Sequence, residues 1–325
     1  MVDEAQRVTR LAPSPTGALH LGNAMCFLAA WLIARQRGWR VVMRLDDLDG
    51  PRVKPGVSEA VLETLAWLGL DWDGEVRRQS EAMVEYEAAL RVLRDKGLIY
   101  PSRVTRRELA AWSEASAPNE GQAEAVFPAG LRPSNEQLQC LIDTTPLLAS
   151  DDFAWRMRVE PGGVVFSDER LGEVRVAVAE EVGDFVVATK SGVPAYQLAV
   201  VVDDVSQGVT DVIRGRDLLS STARQMLVMH GLAMEAQQPR YWHLTLIRGS
   251  DGRRLAKRHG DTRLTAYRQL GVQPDRIRGL LAWWLGAIDR PEPISMKGCL
   301  SAFDIERLRR EDIVFGTGDN AWLTS

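Results

Sequence analysis

"RLAPSPTGALHLGNA", residues 10–24, packs two prolines, two glycines and a histidine between a strand-like run and a helix-like run. Ahead of it "RVTRLA" is short and β-branched. Behind it "AMCFLAAWLIARQRG" is apolar over a broad face and stops at Gly38, a residue suited to end a helix. Neither Pro13 nor Pro15 fits a strand or helix interior, so the stretch between is a turn of fixed shape. Gly17 and Gly22 permit close approach to the backbone, with His20 between them. Two readings are open at this point. One is a rigid strand-to-helix connection with an incidental histidine. The other is a phosphate cradle, in which free N–H groups and the helix dipole attract an anion.

Working outward, "WRVVMRLDDLD" (39–49) reads as a second strand ending in carboxylates, which completes a βαβ unit and implies a parallel sheet. Helical spacing runs over 57–69 and 80–96, the latter closed by Gly97. Residues 116–150 show no convincing period and carry prolines, so they read as a long irregular segment. From Phe153 the texture is that of hairpin strands, and "YQLAVVVDD" and "VTDVIRGRDLLSSTARQMLVMHG" return to the α/β pattern. The expected architecture is α/β. Residues 1–100 and 180–250 form the two halves of a parallel-sheet nucleotide-binding core, 101–179 an inserted smaller α+β module, and 251–325 a basic loop followed by helices.

The chain has 325 residues, 45% hydrophobic and 26% charged, enough for one large or two to three modest domains. No window approaches the roughly 18 apolar residues of a membrane span. The opening "MVDEAQRVTR" lacks the apolar core of a secretory signal, and the three cysteines are scattered and odd in number, so a cytoplasmic protein without disulfides is expected. The net charge is −4, yet residues 240–312 carry 15 Lys/Arg against 9 Asp/Glu. That asymmetry fits either a basic face for a polyanion or an arginine-rich solvated surface.

Three clusters could carry chemistry together: the opening turn with His20, the strand-end carboxylates of "RLDDLDGPR", and "RRLAKRHG" with Lys257 and Arg258. A helix N-terminus on one side and a cationic loop on the other suit a phosphate-bearing substrate. With "AYQLAVVVDD" and "VTDVIRGRDLLSSTARQ", these stretches resemble the glutamyl-tRNA synthetases, class I aminoacyl-tRNA synthetases with a Rossmann-like core. "HLGN" stands where that class has its HIGH signature and "RLAKR" where it has KMSKS. Only about sixty residues follow Arg263, whereas full glutamyl-tRNA synthetases continue into an anticodon-binding region. The resemblance therefore narrows to the glutamyl-queuosine tRNA(Asp) synthetase family, which activates L-glutamate with ATP and Mg²⁺ and attaches it to queuosine in the anticodon loop of tRNA(Asp). It implies no membrane and no protein partner.

What the resemblance implies for individual residues is specific. Arg10, Ala12, Ser14, Asp46, Tyr196 and Arg214 would surround glutamate, with Asp46 standing where the family usually has the longer Glu. Gly17, His20, Gly22, Asn23, Lys257 and Arg258 would contact ATP, His20 and Lys257 as catalytic groups. Many relatives hold a structural zinc. The corresponding positions here are Ser102, Val104, Phe127 and Leu131, which make no ligand set, so no metal site is expected. Cys140 reads as a small core residue. Two other functions remain open: a glutamate-adenylating enzyme serving another RNA or a carrier, and a silent RNA-binding paralogue. Retention of Arg10, His20, Tyr196, Arg214 and Lys257 together counts against silence.

Overall fold

The computed structural model describes residues 6–15, 19–48, 56–105, 107–109, 126–148, 152–252, 255 and 262–325. Strand β1 (Val8–Leu11) leads through the proline turn into helix α1 (Leu21–Gln36), and β2 (Arg40–Leu45) returns parallel to β1, Val8 opposite Arg40 and Leu11 opposite Met43. Helix α2 (Val57–Trp67), β3 (Val76–Arg78), helix α3 (Met83–Asp95) and β4 (Ile99–Ser102) follow. After a helix at Asn135–Thr144 come β5 (Ala154–Met157), β6 (Val164–Asp168), β7 (Gly172–Val176) and β8 (Phe185–Ala188). Helices Tyr196–Ser206 and Leu219–Leu232 flank β9 (Asp211–Gly215), and β10 (Arg240–Leu244) precedes a two-stranded ribbon of β11 (Ile247–Arg248) and β12 (Ile313–Val314). C-terminal helices include Pro274–Trp284 and Met296–Ala302.

Seven strands make the main sheet in the order β3-β2-β1-β9-β10-β6-β7, parallel throughout except for the β6–β7 hairpin. Helix α1 explains its own composition. It lies between the sheet and helices Pro274–Trp284 and Met296–Ala302, so it is covered on both sides and has little need of a polar face. Its Leu28, Ala29, Leu32 and Ala34 are fully buried. The opposite face of the sheet carries a second apolar core, built on α3 and on helices Tyr196–Ser206 and Leu219–Leu232. Among the described residues no helix is long and apolar enough to cross a membrane.

Hydrogen bonding divides the chain differently from the 101–179 boundary read from the sequence. The β6–β7 hairpin falls inside that range yet joins the main sheet, where Tyr241 pairs with Asp168 and packs edge-on against Phe166 at 5.8 Å. A separate antiparallel sheet contains β4, β5 and β8, the last lying beyond the expected boundary. Strand texture identifies a hairpin but not the distant edge that will accept it. The helix at Asn135–Thr144 also departs from the irregular reading of 116–150; Ser134 accepts from the Gln137 N–H while Gln137 caps in return, a Ser-x-x-Gln box that marks a helix start. Cys140 sits exposed on that helix, not in a core, because it falls on the outward face.

Three of the four positions matched to zinc ligands lie together in an apolar plug. Phe127 is buried with Tyr100 and Leu109, and Val104 and Leu131 pack against them. Ser102 is buried at the end of β4, its hydroxyl accepting the Val104 N–H at 3.3 Å. Backbone pairing of Phe127 with Gly183 closes the plug; Gly183 has φ 68°, and a Cβ there would collide with the Phe127 carbonyl. Among the described residues no group of three or more His, Cys, Asp or Glu could hold a metal ion.

Candidate active site

A cavity of about 150 Å³ opens at the C-terminal ends of β1, β2, β9 and β10, beside the first turn of α1. From β1 the chain builds outward to β2 and β3, whereas β10 continues on the other side of β9, so the cavity lies at the point where strand order reverses. Open parallel sheets place ligands at such switch points because the flanking helices diverge there.

Strand ends supply the charged wall. Arg10 leaves β1 almost completely buried, its Nε 3.4 Å from Asp204 Oδ1 and its Nη1 donating to the Ile213 carbonyl at 3.4 Å. Arg44 leaves β2 with no exposure, donating from Nε to Asp46 Oδ1 at 2.7 Å and from Nη1 to Asp204 Oδ1 at 2.5 Å. Asp203, one residue earlier on helix Tyr196–Ser206, is held by Arg77, Gln79 and Tyr86 and so backs the cluster from behind. Burial draws Arg10 below the ordinary arginine range, against the opposing pull of Asp204. Burial alone would lower Arg44 as well, but Asp46, Asp204 and Asp203 together outweigh it and hold the guanidinium well above that range. Burial raises Asp46, with Arg44 opposing. For Asp204 the burial effect is reversed by Arg44 and Arg10, which hold its carboxyl below the carboxylate range.

Arg214 on β9 is built differently. It is 5% exposed and forms no ion pair among the described residues. Its Nε donates to His243 Nε2 at 3.3 Å, and its Nη2 donates to Thr222 Oγ1 at 2.6 Å and to the Leu218 carbonyl at 3.4 Å. Nη1 has no partner among the described residues, and neither does Arg44 Nη2. Tyr196, the first residue of its helix, completes this side of the wall while remaining 39% exposed.

At the helix end, His20 is the N-cap of α1 in an extended conformation, and the Asn23 side chain accepts the His20 backbone N–H at 3.3 Å. A Cβ at Gly22 would stand 3.1 Å from the His20 ring atoms Cε1 and Nδ1, so this glycine makes room for the imidazole itself. Residues just past the second signature return to this turn: His20 bridges Arg263, Leu21 N donates to the Thr262 carbonyl at 3.1 Å, and Leu264 N to that of Leu19 at 2.8 Å. Leu255, inside the signature, lines the cavity.

Of the residues singled out from the sequence, Arg10, Ala12, His20, Gly22, Asn23, Asp46, Tyr196 and Arg214 line this one cavity. Ser14 is exposed and does not line it. Gly17, Lys257 and Arg258 lie outside the described residues. The sequence reading missed Arg44, Asp204 and Asp217, the first and last of which line the wall. Arg44 left a signal: an arginine within the apolar run that follows the exposed Arg40 in the strand "RVVMRL".

The tRNA synthetases class I (E and Q), catalytic domain, form the family whose model matches residues 6–317. A glutamyl-Q tRNA(Asp) synthetase of Rhodopirellula baltica is 42% identical over 276 residues, which are 83% of this chain and 82% of that protein. Another, of Symbiobacterium thermophilum, is 40% identical over 316 residues, 94% of each chain. Among solved structures, the glutamate tRNA ligase of Elizabethkingia meningosepticum in complex with its amino acid superposes with a TM-score of 0.78 at 27% identity, covering 98% of this chain and 69% of that one. The glutamate-tRNA synthetase of Elizabethkingia anophelis gives 0.79 at 26%, covering 98% and 70%. Members of this class are ATP-using ligases. By the extent of these matches, the chain belongs to the class I tRNA synthetases of the E and Q type, within the family of glutamyl-Q tRNA(Asp) synthetases.

Proposed function

We propose that this chain activates L-glutamate with ATP and transfers it to queuosine in the anticodon loop of tRNA(Asp), working in the cytoplasm. The observation that carries the first half is Arg214, a buried guanidinium whose every described partner is uncharged and whose Nη1 is left over beside a cavity. Burying a cation without a counter-charge costs several kcal/mol, and a carboxylate entering the cavity would remove that cost. The names of the curated relatives support the second half, the acceptor.

In this reading Arg10, Arg214 and Tyr196 take the glutamate carboxylates, with Ala12 shaping the floor and Ser14 approaching from the turn. Asp46 uses one oxygen to hold Arg44 and keeps Oδ2 for the substrate ammonium. The glutamate α-carboxylate is already a nucleophile at neutral pH, so it attacks the α-phosphorus directly and pyrophosphate leaves; no base or covalent enzyme intermediate is needed. Mg²⁺ arrives on the ATP phosphates as part of that substrate. His20, at the end of α1, stabilises charge developing at phosphorus, Gly17, Gly22 and Asn23 shape the cradle, and Lys257 and Arg258 neutralise the departing pyrophosphate.

The test is transfer of labelled glutamate, with ATP, to tRNA(Asp) that contains or lacks queuosine. Label should enter only the queuosine-containing tRNA and should stay with the anticodon-loop fragment after nuclease cleavage. Label on other tRNAs, or none despite glutamate-dependent ATP–pyrophosphate exchange, would replace the acceptor. Absence of both transfer and exchange would leave a silent RNA-binding protein.

A further inference from the structure

Asp168 stands behind the cavity wall, and the geometry points to Asp168 and His243 as positioning residues for the substrate-carboxylate arginine, Arg214. This rests on the glutamate reading above. Arg214 and His243 are cross-strand partners on β9 and β10, so their side chains leave the sheet on one face. Asp168 sits at the end of β6, on the far side of β10, and is 2% exposed. Its Oδ2 accepts His243 Nδ1 at 2.7 Å and the His243 backbone N–H at 3.1 Å. Its Oδ1 accepts the backbone N–H groups of Arg170 and Leu171, each at 2.9 Å. Every lone pair facing inward is thus taken by a donor, which leaves the carboxylate one orientation.

Donor and acceptor chemistry then fixes the histidine. A guanidinium only donates, so the 3.3 Å contact from Arg214 Nε requires a lone pair on His243 Nε2. The ring proton must therefore lie on Nδ1, where Asp168 receives it. Thr222 finishes the arrangement: its hydroxyl accepts from Arg214 Nη2 at 2.6 Å and lies 3.1 Å from the same Nε2. Two of the three guanidinium nitrogens are anchored this way, and the plane is set with Nη1 left for a ligand. His243 is neutral, so the anchoring holds Arg214 in place without cancelling the charge that a substrate carboxylate must find. Asp168, one imidazole further back, steadies that charge while the cavity is empty.

The experiment measures L-glutamate affinity by calorimetry on the full chain, alongside glutamate-dependent ATP–pyrophosphate exchange. His243→Leu removes the acceptor. It should weaken glutamate binding about tenfold or more while leaving the KM for ATP within about twofold, because one hydrogen bond to a charged group is lost at one substrate only. His243→Gln, whose side-chain oxygen can reach the Nε2 position, should recover affinity to within about threefold of the parent. Thr222→Val, nearly isosteric, should show a smaller loss of the same kind, and it decides the matter if His243→Leu does not fold. A folded His243→Leu or Thr222→Val with parental glutamate affinity overturns the proposal, as does His243→Gln being as damaged as His243→Leu. A parental chain that binds no glutamate overturns the glutamate reading itself, and that result is recognisable before any variant is made.

Discussion

Buried arginines meet carboxylates at two places in the molecule, and one of the two opens on the cavity. Beside the small sheet, Asp184 accepts from Tyr100 Oη at 2.6 Å, from two nitrogens of Arg132 at 2.7 and 2.8 Å, and from the Val159 N–H at 2.8 Å. Arg156 bonds the Asp184 carbonyl at 3.0 Å and lays its guanidinium 4.0 Å over the Phe127 ring, while its Nε has no described partner. In the cavity, Arg10 and Arg44 share Asp204, Arg44 also holds Asp46, Arg214 has only uncharged partners, and two guanidinium nitrogens have no described partner. The chemistry is similar, and the difference lies in what the leftover nitrogens have beside them: Arg156 lies over an aromatic ring, whereas Arg44 and Arg214 line a cavity. A set closed around its carboxylate holds a lobe together, whereas a set left open beside a cavity can be closed by a ligand.

The hardest way to break the comparison is to remove the carboxylate of the closed set. Asp184→Ala should cost about 3–5 kcal/mol of stability, because it leaves buried donors and a cation without their acceptor. Denaturant unfolding measures this, and a loss under about 1 kcal/mol would mean that the two clusters do not differ in kind. Arg214→Leu probes the open set and should behave in the opposite way. Glutamate-dependent exchange should fall by about 2–4 kcal/mol in kcat/KM, while the melting temperature holds or rises, since an unmatched buried charge has been replaced by an apolar group. A large drop in melting temperature would place Arg214 with the scaffold.

Substrate choice is the next test in size. Glutamine in place of glutamate offers an amide where the open set requires a charge, so kcat/KM should differ by about 1–3 kcal/mol or more. Similar rates for the two would show that the set is not closed by the side-chain carboxylate. pH gives a smaller effect. Burial, helped by Arg214 and opposed by Asp168, holds His243 below its ordinary value of 6.5, with Asp217 and Tyr241 also close by. Below pH 6.5 the unfolded chain takes up a proton that the folded one refuses, so this contribution is present above pH 6.5 and is lost as pH falls, at most about 1.4 kcal/mol per pH unit. His243→Gln should flatten that part of the stability profile; an unchanged slope would assign it to other groups. Least of all, prolonged dialysis against a zinc chelator should leave the melting temperature unchanged, because Phe127, Val104 and Leu131 form an apolar cluster at positions matched to zinc ligands. A fall on chelation would reveal ligands other than these.

Local signals carried the reading from the sequence a long way. The proline turn, the apolar helix after it and the carboxylates ending the next strand were enough for the βαβ unit, and β1 and β2 pair in parallel as that unit requires. Arg10, His20, Asp46, Tyr196 and Arg214 were each marked by a motif, and they meet at one cavity. What could not be read depends on long-range register. Nothing within "GGVVFSD" announces that Asp168 will lie beside His243, because their meeting depends on β6 adding to the edge of β10. Asp204 was quoted in a motif without a role, since its partners come from two strands far away in the chain. Gly22 reads from the sequence as a place of close approach to the backbone, and the group that a Cβ there would meet is the neighbouring imidazole.

The central place of β1 has a consequence for how the protein is made. Thr9 on β1 bonds to Asp211 on β9 across 202 residues of sequence. A ribosome adding about 5–20 residues per second needs roughly 10–40 s to bridge that gap. Throughout that time one side of β1 is an unpaired strand edge, with the apolar face of α1 beside it and the C-terminal helices that will cover it not yet made. The nascent chain therefore carries an adhesive seam for most of its synthesis, and the first half of the protein should depend on chaperones more than its final stability would suggest.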